Sequence, residues 1–248
     1  MLKTRVIPCL LLKNLGLVKT VKFSDPQYVG DPINAVKIFN EKEVDELIFL
    51  DITATDEKRK PSFELLLRIS SEVFMPFSYG GGLRSIDDVK KIVEIGVEKI
   101  IINTYAHEDP AFIKELADNF GSQSVVVAID VKKEKRNYEV FVHGGKINTK
   151  KDPVDYAVQM EKMGAGEIFL NSIDRDGTMK GYDLELIEKV SKAVNIPVVA
   201  CGGAGKTADF HSAIRAGASA VSAASIFVFY GRNRAVLINY PSSAELNI

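Results

Sequence analysis

The chain repeats itself. Residues 46–51 return as residues 167–172, a shift of 167 − 46 = 121, and the same shift carries Pro76 onto Pro197, Gly81-Gly82 onto Gly202-Gly203, Gly96 onto Gly217 and Asn103-Thr104 onto Ala224-Ser225. A register held over this distance marks two copies of one structural unit, joined end to end.

Each copy alternates short β-branched runs with stretches of helical period. The apolar runs 6–12, 47–52, 76–79, 99–103, 125–131, 168–171, 197–201 and 220–223 are predicted as strands, and amphipathic stretches such as 85–95 and 183–193, each opening on a polar capping residue, as helices. The strand runs are continuously apolar, which suits parallel strands covered on both sides. About eight βα units in 248 residues predict an α/β fold of the (β/α)₈ barrel type, which takes about 250 residues as one domain. The expected domain is 1–248, built from half-barrels of about 1–121 and 122–248. Residues 132–138 form a charged excursion and 139–143 a hairpin, both read as a loop on the barrel rim.

Composition narrows the function. A net charge of −1, with no basic block or aromatic-interleaved basic stripe, argues against nucleic acid as a partner. No stretch approaches the roughly 18 apolar residues of a membrane span, and no cleavage signature follows the short apolar run at the N-terminus. Cys9 and Cys201 sit in apolar runs and read as buried small hydrophobes, not as a disulfide. A soluble, cytoplasmic protein is expected, with no metal set and no cofactor.

In such barrels chemistry sits at the C-terminal strand ends and in the loops beyond them. After the third and seventh strands come residues 79–85 and 201–207, each with a glycine pair leading into a helix. Glycine lets backbone approach an anion, and a helix start offers free N–H groups with a favourable dipole. Tight turns would also explain either pair alone. Their recurrence at matching positions favours phosphate binding, with Asn103-Thr104 and Ala224-Ser225 completing the two cradles. Facing cradles imply a small ligand with a phosphate at each end.

Acids fall at strand ends as well: Asp51, Asp130, Asp174 and Asp176. Each could be a solvated or capping residue or a proton-transfer group. Asp130 has the strongest case, because it ends an entirely apolar strand where a carboxylate is costly without a purpose. Aligning residues 6–13 with 125–132 sets Leu11 where Asp130 stands, a shift of 130 − 11 = 119. Leucine neither gives nor takes a proton, so a symmetric pair of acids is unavailable. At the opposite strand ends Arg5, Glu46, Lys99 and Glu167 converge on the barrel axis, where charge alone suggests a stabilising ring.

With these residues in hand, the chain resembles the cyclase subunit of imidazole glycerol phosphate synthase. Residues 6–8, 45–54, 80–85, 120–123, 127–130, 164–170, 174–183 and 202–205 carry the likeness, which runs to about Phe229. The resemblance implies phosphate sites at Gly81, Gly82, Asn103 and Thr104 and at Gly177, Gly202, Gly203, Ala224 and Ser225. It implies a working first loop carrying Lys19. It also implies that Arg5, Glu46, Lys99 and Glu167 gate ammonia delivered by a glutaminase docked on that face.

Two stretches depart from the family. Its ring closure uses two Asp as acid and base; here Asp130 stands opposite Leu11, and residues 11–20 have diverged with it. Residues 227–241 differ from the expected final helix. Both resemble the glycosyl amidation-associated branch, whose members work with a glutaminase and a sugar amidotransferase on bacterial surface polysaccharides. The primary expectation is ammonia transfer through the barrel. The alternatives are ring closure by Asp130 helped by Asp51 or Asp176, and a non-catalytic scaffold that activates the glutaminase.

Overall fold

The structure is a computed structural model that describes residues 4–231 and 233–246. Eight parallel strands form its centre: β1 (Arg5–Lys13), β2 (Leu47–Asp51), β3 (Phe77–Gly80), β4 (Lys99–Ile102), β5 (Val125–Glu134), β6 (Glu167–Ser172), β7 (Val198–Cys201) and β8 (Ala220–Ala223). They pair in chain order. β8 pairs with β1, so the sheet closes into the expected (β/α)₈ barrel and its long strands leave no open edge.

Seven helices wrap the outside: α1 (Pro32–Glu41), α2 (Phe63–Ser70), α3 (Ile86–Ile95), α4 (Ala111–Phe120), α5 (Pro153–Lys162), α6 (Leu184–Ser191) and α7 (Thr207–Arg215). The two predicted from capping signals start where the caps stand. The Ser85 hydroxyl accepts from the Asp88 N–H at the start of α3, and the Asp183 carboxylate accepts from the Leu186 N–H at the start of α6. Their apolar stripes, Val89 and Ile92 on α3 and Leu186, Ile187 and Val190 on α6, are buried.

The core has two parts. Between strands and helices lie side chains such as Phe39, Leu66, Phe77 and Phe210, all nearly or fully buried, each worth about 1.5–3 kcal/mol relative to exposure. Inside the barrel a separate set points at the axis: Ile7, Cys9, Ile48, Ile101, Val126, Ala128, Phe169, Val199, Cys201 and Ala220. Both cysteines are free and buried.

Sheet register carries the repeat into three dimensions. Leu11 of β1 pairs with Leu50 of β2, and Asp130 of β5 pairs with Asn171 of β6. Leu11 and Asp130 therefore occupy equivalent places in the two halves, as the alignment of their strands predicts.

The loops add what periodicity did not show. After β1, the strands Gly16–Val21 and Ser24–Gly30 form a hairpin over the barrel mouth. β5 runs beyond the barrel to Glu134 and pairs with Asn137–Val142, so the charged excursion is itself part of the rim hairpin. After β8 there is no full outer helix among the described residues. The chain instead forms a short helix Ser225–Val228, the paired strands Phe229–Tyr230 and Ala235–Val236, and a one-turn helix Ser243–Leu246. Phe227 stacks on Phe210 at 6.1 Å and meets Tyr240 at 5.3 Å, and the Tyr240 hydroxyl donates to the Val6 carbonyl at 2.9 Å. This irregular tail fills the place of an eighth helix. Among the described residues no helix is long and apolar enough to cross a membrane.

Candidate active site

A cavity of about 480 Å³ opens at the C-terminal ends of the strands. It reaches from the rim down to Cys9, Ala128, Phe169 and Cys201 inside the barrel, and both glycine pairs line it. Two positions show why glycine is required. Gly82, at φ +70°, would set a Cβ 2.5 Å from the Arg59 carbonyl, and Gly203, at φ +114°, would set one 2.2 Å from the Gly181 carbonyl. Bare backbone thus faces the cavity at two places related by the repeat.

Asn103, Thr104, Ala224 and Ser225 complete the lining beside these glycines. The Asn103 amide donates to the Ala128 carbonyl at 2.9 Å and to Asp130 at 3.2 Å. The Thr104 hydroxyl donates to Asn103 Oδ1 and accepts from the His143 N–H at 3.0 Å. The Ser225 hydroxyl is buried and has no partner among the described residues, which leaves it available to a ligand oxygen.

Asp130 lies at the cavity floor. Burial is the main cause that raises its pKa from 3.8 to about 7; the nearby Asp176 charge adds to the rise, and hydrogen bonds from Asn171 and Asn103 oppose it. A carboxyl that titrates near neutrality can both give and take a proton. The same rise has a stability consequence. Between about pH 4 and 7 the folded state holds a proton that the unfolded chain releases, so stability falls as pH rises through that window. Asp130→Asn is expected to remove this penalty, stabilising the protein at pH 8 by roughly 2–4 kcal/mol, with the gain shrinking toward pH 4. Denaturant unfolding at the two pH values checks it; equal midpoints for parent and variant at pH 8 would contradict the assignment.

The other two candidate acids are held differently. Asp51 takes two hydrogen bonds from the Arg59 guanidinium, both at 2.9 Å, and further ones from the Thr53 and Ala54 N–H groups. It anchors the loop after β2 while lining the cavity. Asp176 is buried and receives Lys19 Nζ at 2.9 and 3.1 Å and the Thr20 hydroxyl at 3.2 Å. The Lys22 N–H bonds the Asp176 carbonyl at 2.9 Å as well, so the first loop is fastened down over the mouth. Leu11 faces the same cavity and brings no polar atom to it. Asp174 sits farther out, accepting from the Lys133 N–H at 2.8 Å.

At the other end of the barrel Arg5, Glu46, Lys99 and Glu167 form one closed ring. Arg5 Nη1 and Nη2 reach Glu46 and Glu167 at 2.5 Å, and Lys99 Nζ reaches both acids at 3.3 Å. The Ser78 hydroxyl donates to the remaining Glu46 oxygen at 2.8 Å. Burial works to lower the Arg5 pKa, but Glu167 and Glu46 outweigh it and the net shift is upward. Between the ring and the cavity the inner core is apolar. The Cys201 thiol stays protonated: its pKa is pushed well up by its hydrogen bond to Cys9 and by burial. Such a lining gives a neutral amine no acid to meet.

Sequence reasoning overlooked Arg59, Ser78 and Asn171, which hold Asp51, Glu46 and Asp130. Asn171 had a signal: the repeat aligns it with Leu50, the same polar-for-apolar asymmetry that sets Asp130 against Leu11. Arg59 and Ser78 had none, being a loop residue and a strand residue inside ordinary patterns.

Comparisons with known proteins identify the family. Residues 5–233 match the family described as "Histidine biosynthesis protein". A Pseudomonas aeruginosa protein named, provisionally, imidazole glycerol phosphate synthase subunit hisF2 is 52% identical over 250 residues, covering 100% of both chains. A Leptospira interrogans protein, provisionally named as a HisF subunit of the same synthase, is 51% identical over 99% of this chain and 98% of its own. The imidazole glycerol phosphate synthase subunit HisF of Hydrogenobaculum sp. is 48% identical over 92% of each chain. The chain therefore belongs to the histidine biosynthesis protein family, among its HisF-like cyclase-subunit barrels.

Proposed function

We propose that this barrel conducts ammonia from a glutaminase docked on the Arg5, Glu46, Lys99 and Glu167 face to an acceptor enzyme, a sugar amidotransferase of surface-polysaccharide synthesis, and does not itself close an imidazole ring efficiently. The observation that carries the reading is Leu11 at the position equivalent to Asp130. A mouth with one acid where two-acid ring closure needs a pair suits passage better than chemistry.

Other features fit. Lys99 meets the acids of the ring at 3.3 Å and Arg5 meets them at 2.5 Å, so Lys99 is the less tightly held cation and the one to swing aside as ammonia enters. Up to the cavity floor, where Asp130 stands, the apolar lining offers ammonia no charged group. Exposed apolar side chains at the mouth, Leu15, Val21 and Tyr28 in the first loop and Tyr230 and Val236 in the terminal hairpin, are what a second protein there would cover. The glycine cradles, Gly81 and Gly82 with Asn103 and Thr104, and Gly177, Gly202 and Gly203 with Ala224 and Ser225, hold a phosphorylated ligand that signals or aligns the acceptor.

A second reading, ring closure in histidine synthesis, draws on Asp130 titrating near neutrality and on the closed first loop with Lys19 on Asp176. The test is turnover of the histidine-pathway bisphosphate with ammonium ions; a rate near that of a two-acid barrel would overturn the transfer reading.

A further inference from the structure

The terminal hairpin does more than fill the place of an eighth helix. Its return strand is stitched to the short helix after β8 by the Leu237 N–H on the Val228 carbonyl at 3.0 Å and the Asn239 N–H on the Phe227 carbonyl at 2.8 Å. This fixes the turn residue Arg234, whose backbone is in the left-handed region at φ +51°. Its guanidinium lies over the Phe229 ring, 4.7 Å from the centroid, and its Nη2 donates to the Gly177 carbonyl at 3.0 Å. The Nε atom is buried with no partner among the described residues.

Gly177 is gripped from the opposite side as well. Its φ is +71°, and a Cβ there would come 2.3 Å from the Thr20 carbonyl of the first loop. The neighbouring Asp176 holds Lys19 through its side chain and the Lys22 N–H through its carbonyl. Two segments far apart in sequence, the first loop and the terminal hairpin, thus meet on one dipeptide. The first half has no equivalent: after β4 a short helix, Thr104–Glu108, is followed by α4 without a hairpin.

We propose that Arg234 is a positioning residue for the second phosphate cradle. By holding the Gly177 carbonyl it fixes where Gly177 lies in the cavity lining, and it keeps the Asp176-Gly177 turn in the form that the first loop closes upon. Stacking on Phe229 sets the plane of the guanidinium, which a lysine cannot reproduce. The inference rests on the reading of Gly177 and Gly203 as a phosphate cradle, and it makes the two cradles unequal: the second depends on the terminal hairpin and the first does not.

The test uses the ¹⁵N-labelled full chain, titrated with inorganic phosphate and followed at the Gly177 and Gly203 amides for the second cradle and the Gly82 and Thr104 amides for the first. Arg234→Met is expected to weaken phosphate at the second cradle by about tenfold, the effect of losing one charge-assisted hydrogen bond, and to leave the first unchanged. Arg234→Lys should recover only part of the loss. Hydrogen exchange supplies the positioning readout: in Arg234→Met the Lys22 amide should exchange faster while Leu237 and Asn239 stay protected, since the hairpin itself persists. Unchanged affinity at the second cradle together with unchanged Lys22 exchange would overturn the role of Arg234. Absence of phosphate shifts at both cradles in the unaltered protein would instead overturn the cradle reading, with Lys22 exchange still deciding whether Arg234 holds the turn.

Discussion

Offered the histidine-pathway bisphosphate and a saturating ammonium salt, the purified protein is expected to close the imidazole ring about 10²–10⁴-fold more slowly than a barrel with an acid in both halves, the usual cost of losing one general acid or base. The reason lies in how each remaining carboxylate is used. Asp130 is free to titrate near neutrality, but Asp51 is tied to Arg59 and two backbone N–H groups, and Asp176 to Lys19 and Thr20. Neither tied carboxylate can take over from Leu11 without dismantling a loop. Leu11→Asp is expected to restore little, because the hairpin that follows has changed with it. Recovery of full turnover by that single substitution would show that the first loop was competent throughout and that only the acid was missing.

The second large effect belongs to the charged ring. In a mixture of this protein, a glutaminase and the proposed acceptor enzyme, Lys99→Ala should separate two rates that the proposed transfer couples. Glutamine hydrolysis continues, while acceptor amidation falls several-fold as ammonia escapes at a ring that no longer seals against the partner. Arg5 still bridges Glu46 and Glu167 in this variant, so neither acid is left unpaired in the interior, the situation that makes breaking buried ion pairs destabilising. Arg5→Ala removes both of the shortest contacts and should cost stability as well as coupling, which thermal unfolding would reveal. If hydrolysis and amidation stay in step in Lys99→Ala, the ring is structural and ammonia takes another route.

The barrel was legible because its strands are buried on both faces. Such strands read as unbroken apolar runs, and the run 220–223 coincides with β8 residue for residue. The repeat was legible too, and it located both glycine pairs that line the cavity and the unmatched Asp130. The closed form of the mouth was not. The second strand of the first-loop hairpin, Ser24–Gly30, is mostly exposed and contains a proline, so it carries no burial pattern from which pairing could be read. Lys19 meets Asp176 across 157 positions, and no local pattern encodes such a contact. The tail shows the reverse: its departure from a helix was visible in its residues, but strands of two residues are shorter than any periodicity. Asp51 illustrates the limit for sites, since its position at a strand end was plain and its engagement depended on Arg59 returning from the next loop.

If ammonia passes through this barrel to an acceptor elsewhere, the origin of the product nitrogen records it. Glutamine labelled with ¹⁵N in its amide is supplied to the glutaminase, this protein and the sugar amidotransferase, in the presence of excess unlabelled ammonium, and the product sugar is weighed by mass spectrometry. Transfer through the lumen predicts product carrying ¹⁵N at early times despite the unlabelled pool, and loss of that preference in Lys99→Ala. Product that carries unlabelled nitrogen in proportion to the bulk pool from the first turnovers would show that ammonia does not travel through the lumen.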